Sequence, residues 1–348
     1  MRCLTLADAL REEESNVSFI CRELHGNLCD FIEKKGFKVY RLPYTTVKHN
    51  NKNPSSEHLQ WLSVSWAEDA EQSRDILAKE CGTIDWLIVD HYALDKQWET
   101  LVRPHVKKIM VIDDLADRFH DCDLLLDQNL YENINNRYNG LVPASCKKLL
   151  GPKYALLRKE FINARKNLRE RDGNVKNILI FFGGVDPTNE TLKALEAIQL
   201  LNRPDIAIDV VVGEANPNKD KLEDVCSAMP NANYHCQINN MAELMASADL
   251  SIGAGGSTTW ERCCLGLPSI VITLADNQRE LAKYLEKNGI IIYLGWYEQV
   301  KESDVKEAIN ALISNPEKIE TISKKSREII DGKGIEQITS RMQKNLYL

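Results

Sequence analysis

Short apolar runs alternate with amphipathic stretches along the chain from residue 16 onward. In its first half the runs are NVSFICR (16–22), KVYRLP (38–43), DWLIVDHY (85–92), KIMVIDDL (108–115) and DLLLDQN (123–129). This alternation is typical of βαβ units, in which parallel strands form a sheet with helices on both faces. The first half is therefore predicted to be a Rossmann-like domain.

The same rhythm restarts after the charged stretch RKNLRERDGNVK (165–176). The second set of runs is NILIFFGG (177–184), IDVVVG (208–213), DLSIGAGG (249–256), PSIVIT (268–273) and IIIYLG (290–295), and polar-rich helices are expected from about Glu302. We therefore predict an α/β protein with two Rossmann-like domains, covering residues 1–164 and 177–348 and joined by a linker over residues 165–176.

The first predicted element is an amphipathic helix over residues 2–13 with no strand before it. Leu4, Ala7 and Leu10 share one face of this helix. In doubly wound sheets the first strand is usually central, and the turn after it often carries a binding loop. The sequence therefore predicts an N-terminal domain that is missing its first strand.

Composition excludes several classes of function. The formal net charge of −7 argues against nucleic acid as a partner. The ten cysteines are scattered through apolar segments and are expected to be reduced. Neither they nor His25, His49, His58 and His105 have the spacing of a metal site. No signal peptide or membrane-spanning run is present, so we expect a cytoplasmic protein without integral membrane association.

The stretch GAGGSTTWERC (253–263) is predicted to be a strand-to-helix turn. Its glycines allow the backbone to approach a ligand, Ser257 is a suitable N-cap, and a helix N-terminus favours an anionic phosphate. Glu261, four residues after Ser257, is placed to accept hydrogen bonds from both hydroxyls of a ribose. The alternative is a tight turn with Glu261 as a solvated charge.

Two further strand-to-helix turns follow the same pattern. In LADNQRE, Asp276 is a candidate cap, and Asn277 and Gln278 offer neutral donors on the same sheet edge as the glycine turn. In FFGGVDPTN (181–189), paired glycines precede Asp186 as an N-cap and a proline at the first helical position. A compact turn without a ligand explains this third turn equally well.

Polar residues also collect at the carboxyl ends of the N-terminal strands, where ligands bind in open α/β sheets. His91 and Tyr92 are candidates for a general acid or base and a substrate contact, whereas loop capping is the alternative. Arg158, among apolar residues, suits either a phosphate or a structural salt bridge. The complete set of strand-end residues is Asp90, His91, Tyr92, Asp113, Asp114, Asp127, Gln128 and Asn129.

The motifs GAGGSTTWE, DNQ, DHY, YALLR and FFGGVDPTN together resemble those of the UDP-2,4-diacetamido-2,4,6-trideoxy-β-L-altropyranose hydrolases. These enzymes act in pseudaminic acid biosynthesis, which serves flagellin glycosylation. The resemblance implies a glycosyltransferase-B fold, with UDP held mainly by the C-terminal domain and the sugar against the N-terminal one. It also implies that water attacks the anomeric carbon with inversion, and that neither a metal nor another cofactor is required.

The resemblance also implies roles for individual residues. Glu261 matches the ribose ligand, and the glycine turn matches the loop near the diphosphate. Tyr92 matches a substrate-contacting position and is the candidate catalytic residue that this sequence retains. The residues expected to bind the UDP-sugar are Arg158, Gly256, Ser257, Thr258, Glu261, Asn277 and Gln278.

The sequence departs from the family at its start. Family members begin with a strand and a GxGHxxR turn, whose histidine is the proposed general base. Met1 and Arg2 match the positions two and three residues after that histidine, and His25 belongs to a later turn. The chain as written is thus expected to lack the base, either because its true start lies upstream or because it is a shortened, inactive relative.

Two alternatives to a UDP-sugar hydrolase remain open. A glycosyltransferase of the same fold needs an acceptor pocket and often a membrane-facing patch, which the N-terminal half does not display. A non-catalytic protein that binds nucleotide sugars would bind UDP without turnover.

Overall fold

The computed structural model describes residues 1–45, 61–79 and 82–346; His49 and His58 lie outside these ranges. The chain divides into two compact units. Unit 1 comprises Met1–Asn129, Asn133–Leu156 and Gly334–Leu348, and unit 2 comprises Leu130–Glu132 and Leu157–Lys333. Each unit is an α/β structure, as the alternating pattern predicts.

Unit 1 contains two parallel sheets among its described residues. One sheet pairs β1 with β2, and the other has the order β3-β4-β5-β6. The strands are β1 (Ser18–Arg22), β2 (Lys38–Leu42), β3 (Ile84–Val89), β4 (Val106–Ile112), β5 (Leu124–Asp127) and β6 (Lys147–Leu150). The helices are α1 (Arg2–Glu12), α2 (Cys29–Lys34), α3 (Trp66–Lys79), α4 (Lys96–Val102) and the last helix of the chain, α13 (Gly334–Leu346).

Helix α1 packs against both sheets of unit 1. Leu4 and Ala7 belong to a buried cluster with Phe37 of the β1-β2 region. Leu6 is fully buried in another cluster, with Met110 of β4. The amphipathic helix predicted at the start of the chain is confirmed. The absence of a strand ahead of it stays a prediction.

Unit 2 contains one parallel sheet with the order β12-β11-β10-β7-β8-β9. Its strands are β7 (Asn177–Phe181), β8 (Ala207–Val212), β9 (Ala232–Cys236), β10 (Leu250–Ala254), β11 (Ser269–Thr273) and β12 (Ile292–Trp296). Its helices are α5 (Lys159–Lys166), α6 (Glu190–Leu201), α7 (Lys219–Ser227), α8 (Met241–Ser247), α9 (Thr258–Cys264), α10 (Asp276–Lys287), α11 (Glu302–Ile313) and α12 (Pro316–Glu328).

The strand order of unit 2 reverses between β7 and β10. The chain builds outward from β7 through β8 to β9, and then crosses to β10, β11 and β12 on the other side. Ligands of open α/β sheets bind beyond the carboxyl ends of the strands at such a switch point. The buried faces of these strands form one apolar core that includes Ile180, Val210, Ile252 and Ile272.

The boundaries of the units differ from the predicted domains. The predicted linker 165–176 belongs to unit 2. There the Arg165 guanidinium donates to the Cys264 carbonyl, and Arg171 is 7% exposed. The predicted C-terminal domain extends to residue 348, whereas α13 belongs to unit 1 because Ile338 and Met342 are buried in its core. The charge pattern of residues 165–176 suggested a solvated linker. In the structure, arginines of this segment instead hold it to unit 2 by donating hydrogen bonds to backbone carbonyls.

Neither a membrane-spanning helix nor a metal-binding cluster occurs within residues 1–45, 61–79 and 82–346. No helix there has both the length and the hydropathy needed to span a bilayer. The same segments contain no group of three or more His, Cys, Asp or Glu side chains that could hold a metal ion.

Candidate nucleotide site

A glycine-rich turn joins β10 to α9 at the carboxyl edge of the unit 2 sheet. Gly253 pairs with Phe181 of β7, and a Cβ at Gly253 would lie 2.2 Å from the Phe181 carbonyl oxygen. Gly256 has a φ of +101°, which a residue with a side chain rarely adopts. Both positions require glycine, and the turn lies at the switch point between β7 and β10.

The amides of the turn differ in their hydrogen bonding. The Gly255 amide donates to the Ile272 carbonyl of β11 at 3.3 Å. Within the part of the chain that the structure describes, the amides of Gly256 and Ser257 donate to no acceptor. Ser257 occupies the N-cap position as predicted, but its side chain is exposed and makes no capping bond. The two amides are therefore available to ligand oxygen atoms.

The Glu261 carboxylate lies beside Arg158. Arg158 Nε donates to Glu261 Oε1 at 3.0 Å, and Arg158 Nη1 lies 2.6 Å from Glu160 Oε1. The Glu261 side chain is 17% exposed; burial raises its pKa, and the Arg158 charge lowers it. Two residues predicted for the site are thus in direct contact. Arg158 forms the salt bridge that was one of its two predicted roles.

Arg262 is not among the residues predicted from the motifs, although it lies beneath the turn. Its side chain is 2% exposed, and Nη2 donates to the Ala254 carbonyl at 2.7 Å and to Thr259 Oγ1 at 3.2 Å. Burial lowers its pKa to about 10. A sequence signal was present, because a charge between Trp260 and the apolar run CCLGL has no obvious solvated face.

Gln278 brings the second predicted turn against the glycine turn. Gln278 Oε1 accepts a hydrogen bond from the Leu274 amide at 3.0 Å, and a Cβ at Gly255 would lie 3.1 Å from Gln278 Cβ. The prediction that the two turns share one sheet edge is confirmed. Asn277 is exposed next to this contact. The predicted Asp276 cap is wrong, because α10 begins at Asp276 itself and no side chain caps it.

The third predicted turn holds the start of α6. Asp186 Oδ1 accepts a hydrogen bond from the Glu190 amide at 3.0 Å, and Oδ2 accepts one from the Thr191 amide at 2.9 Å. The prediction of Asp186 as the N-cap residue is wrong, because Asn189 occupies that position, although the Asp186 carboxylate accepts hydrogen bonds from the first two amides of the helix. Pro187 is likewise not the first helical residue. The reason is that Asn189, with a φ of +59°, interrupts the helical path and delays the helix to Glu190.

In unit 1, Asp113 and Asp127 serve the fold. Both are fully buried. Asp113 Oδ2 accepts from the Ala116 amide, and Asp127 Oδ1 from the Asn129 amide, each at 2.9 Å. The Tyr138 hydroxyl bonds to both carboxylates, and burial raises the pKa of Asp127 to about 7. For these two strand-end residues the capping alternative holds, because their carboxylates accept hydrogen bonds from backbone amides.

Three other strand-end residues of unit 1, Asp90, Tyr92 and Asp114, form a partly exposed charge network with Arg2, whereas Gln128 and Asn129 are buried. Arg2 Nη2 lies 2.7 Å from Asp90 Oδ1, and Arg2 Nη1 lies 3.2 Å from Asp114 Oδ2. The Tyr92 hydroxyl bonds to Asp114, and burial together with the nearby carboxylates raises its pKa well above the ordinary value. Tyr92 is therefore protonated at neutral pH. His91 Nδ1 accepts a hydrogen bond from an amide of its own loop at 3.1 Å, which is the capping role.

Comparison with known proteins places these features in a family context. Residues 177–341 match the glycosyltransferase family 28 C-terminal domain. The chain is 29% identical over 281 residues to the UDP-2,4-diacetamido-2,4,6-trideoxy-β-L-altropyranose hydrolase of Campylobacter jejuni subsp. jejuni, covering 80% of this chain and 89% of that protein. It is 30% identical over 219 residues to the spore coat polysaccharide biosynthesis protein SpsG of Bacillus subtilis, covering 63% of each. The resemblance predicted from the motifs is confirmed.

A solved structure resembles the fold of the chain. The crystal structure of Acinetobacter baumannii MurG matches with a TM-score of 0.66 over 99% of this chain and 95% of that one, at 14% sequence identity. The predicted glycosyltransferase-B fold with two Rossmann-like domains is thereby confirmed. The chain spans 63% of the length of SpsG and 55% of that of an uncharacterised relative from Methanocaldococcus jannaschii.

Proposed function

We propose that this protein hydrolyses a UDP-sugar and holds the nucleotide in unit 2. One observation carries this proposal. The amides of Gly256 and Ser257 have no acceptors, and the mostly buried Glu261 carboxylate follows them closely in the chain. Consecutive amides bind phosphate oxygens, and a carboxylate accepts hydrogen bonds from both ribose hydroxyls. We assign Gly256, Ser257 and Thr258 to the diphosphate and Glu261 to the ribose.

The remaining nucleotide-side residues have supporting roles in this proposal. The Arg158 guanidinium orients the Glu261 carboxylate, and its charge opposes the rise in the pKa of Glu261 that burial causes. Gln278 fixes the second turn against the first. Asn277 is the exposed donor of that turn and contacts the substrate.

We propose UDP-2,4-diacetamido-2,4,6-trideoxy-β-L-altrose as the substrate, within pseudaminic acid biosynthesis. The support is the similarity to the Campylobacter jejuni hydrolase that is named for this compound. In the reaction a water oxygen attacks the anomeric carbon on the face opposite the diphosphate. The bond from that carbon to the phosphate oxygen breaks, UDP leaves with the electron pair, and the water proton passes to a base.

Tyr92 is a substrate contact rather than the base in this proposal. Its pKa is raised, so the phenol keeps its proton and cannot accept one from water. Because the hydroxyl bonds to Asp114, the phenolic oxygen is an acceptor for a sugar hydroxyl or acetamido N–H.

The experiment that tests the proposal measures UDP release from this substrate without any acceptor, alongside UDP binding by calorimetry. We expect UDP release in water alone, and weaker UDP binding for Glu261→Gln. Glu160→Gln is the matched control, because it removes the other carboxylate on Arg158. Release only with an added acceptor would favour a glycosyltransferase, and binding without release would favour a non-catalytic protein.

A further inference from the structure

Arg262 is a buried cation without a counter-ion in the described part of the protein. Burial lowers the pKa of Arg262 and the charge of the Glu261 carboxylate next to it in sequence raises it, but that carboxylate forms its ion pair with Arg158. Its Nε atom is also buried without a hydrogen-bond partner. A buried charge without an ion-pair partner destabilises a fold, because water solvates the charge better than the protein interior does. A buried charge at such cost suggests a functional role.

The hydrogen bonds of Arg262 fix one peptide group of the glycine turn. The Ala254 carbonyl accepts from Arg262 at 2.7 Å, and the amide of the same peptide group, that of Gly255, donates to Ile272 at 3.3 Å. Since a peptide group is planar, holding it on both sides sets the plane of the backbone there. The next two amides, those of Gly256 and Ser257, are the ones left without acceptors.

The guanidinium also explains the need for glycine at the end of β10. A Cβ at Gly253 would lie 2.7 Å from Arg262 Nη1 as well as 2.2 Å from the Phe181 carbonyl. Arg262 therefore lies directly under the switch point between β7 and β10. The positive charge, the fixed peptide group and the free amides are all found at this one turn.

We propose that Arg262 is a positioning residue for the diphosphate of the nucleotide. It holds the Ala254 carbonyl so that the Gly256 and Ser257 amides remain available to phosphate oxygens, and its buried charge is balanced when the anion binds. Such a charge acts through a low-dielectric interior, where its attraction for an anion is stronger than in water. This inference rests on the proposed function, because it assumes that the ligand is a nucleoside diphosphate.

Arg171 offers a matched control for substitutions of Arg262. It is also buried, at 7% exposure, and burial likewise lowers its pKa to about 10. Its guanidinium donates to the Ala248, Leu265 and Gly266 carbonyls, which lie after the C-terminal ends of α8 and α9. Arg171→Met therefore removes a buried guanidinium from unit 2 without touching the glycine turn.

The test compares UDP with uridine, which lacks the phosphates, by calorimetry on the full chain. We expect Arg262→Met to weaken UDP binding about tenfold or more, the size of a charge-assisted hydrogen bond, with uridine affinity within about twofold of wild type. Arg262→Lys keeps the charge and one donor, so we expect it to recover part of the loss. Arg171→Met should lower the melting temperature and leave the ratio of UDP to uridine affinity unchanged.

Three results would overturn the inference. An unchanged affinity ratio in Arg262→Met would show that the turn does not depend on the guanidinium. An equal fall of the ratio in Arg171→Met would show a general loss of stability. If Arg262→Met does not fold, Arg262→Gln decides, because glutamine keeps a donor without the charge, and an unchanged ratio there overturns the proposal. A wild-type chain that binds no UDP would instead overturn the proposed function, and this inference with it.

Discussion

Two effects act in opposite directions on the pKa of Glu261, and both affect nucleotide binding. Burial raises its pKa and the Arg158 guanidinium lowers it. Only the ionised carboxylate accepts hydrogen bonds from both ribose hydroxyls. UDP affinity should therefore fall as the pH drops through the pKa of Glu261. In Arg158→Met the carboxylate loses its partner, so this fall should begin at a higher pH.

Calorimetric UDP affinities across the acidic and neutral range check this prediction. Glu261→Gln serves as the reference, because the phosphates of UDP titrate equally in every variant and their effect cancels in the ratio to it. Identical profiles for wild type and Arg158→Met would show that the ion pair does not control the carboxylate.

Asp127 in unit 1 should make stability depend on pH. Burial raises its folded pKa to about 7, whereas an unfolded aspartate titrates near about 4. A raised pKa means that the folded state binds the proton more tightly, so this stabilisation is complete below about pH 4 and is lost as the pH rises to about 7. Relative to Asp127→Asn, wild type should lose up to about 4 kcal/mol across that window.

Urea unfolding of both proteins at several pH values measures this difference. The asparagine keeps an acceptor for the Asn129 amide, so the comparison isolates the charge. A stability difference that stays constant between about pH 4 and 8 would contradict the assignment of a proton to Asp127.

At the scale of elements, the apolar runs predicted the strands well. Every run named in the sequence overlaps a strand, and the central strands among them, such as β10 and β11, are apolar because they are buried on both faces. The two strands that were missed, β6 (KKLL) and β9 (ANYHC), lie at sheet edges. Both are only partly buried and carry polar residues, so they lack the continuous apolar pattern that the edge strands β3 and β12 retain.

Helix starts were predicted less well than strands, because they depend on local backbone geometry. Ser257, Asp276 and Asp186 all precede or begin a helix as expected, yet only Asp186 accepts capping hydrogen bonds. The turn that carries Asp186 contains two non-glycine residues with positive φ, Asp186 itself at 42° and Asn189 at 59°. Such conformations do not follow from the residue types alone. The role of Arg262 was missed for the same reason, because its partner is a backbone carbonyl whose position depends on the path of the turn.

The Asp186 cap should contribute measurably to stability. Asp186→Ala removes two acceptors from the start of α6, and we expect a loss of about 1–2 kcal/mol in the free energy of unfolding. Asp276→Ala is the control, because that side chain is 84% exposed and makes only a surface ion pair. Chemical denaturation of the two variants gives the comparison. A loss for Asp186→Ala no larger than the control's would contradict the capping role.

At the scale of the whole molecule, the repeated strand rhythm predicted two Rossmann-like domains, and their boundaries were the weaker part of the prediction. Arg165, Arg169 and Arg171 in the predicted linker anchor to unit 2 through carbonyls and Asp249. Helix α13 completes the core of unit 1. Both differences have one cause: which unit a segment joins depends on contacts between residues distant in sequence.

The most direct test of the proposed hydrolysis uses ¹⁸O-labelled water. The full chain is incubated with UDP-2,4-diacetamido-2,4,6-trideoxy-β-L-altrose, and both products are examined by mass spectrometry. Attack of water at the anomeric carbon predicts that the label enters the sugar and that UDP contains none. Label in the UDP phosphate, or no release of UDP, would contradict the account.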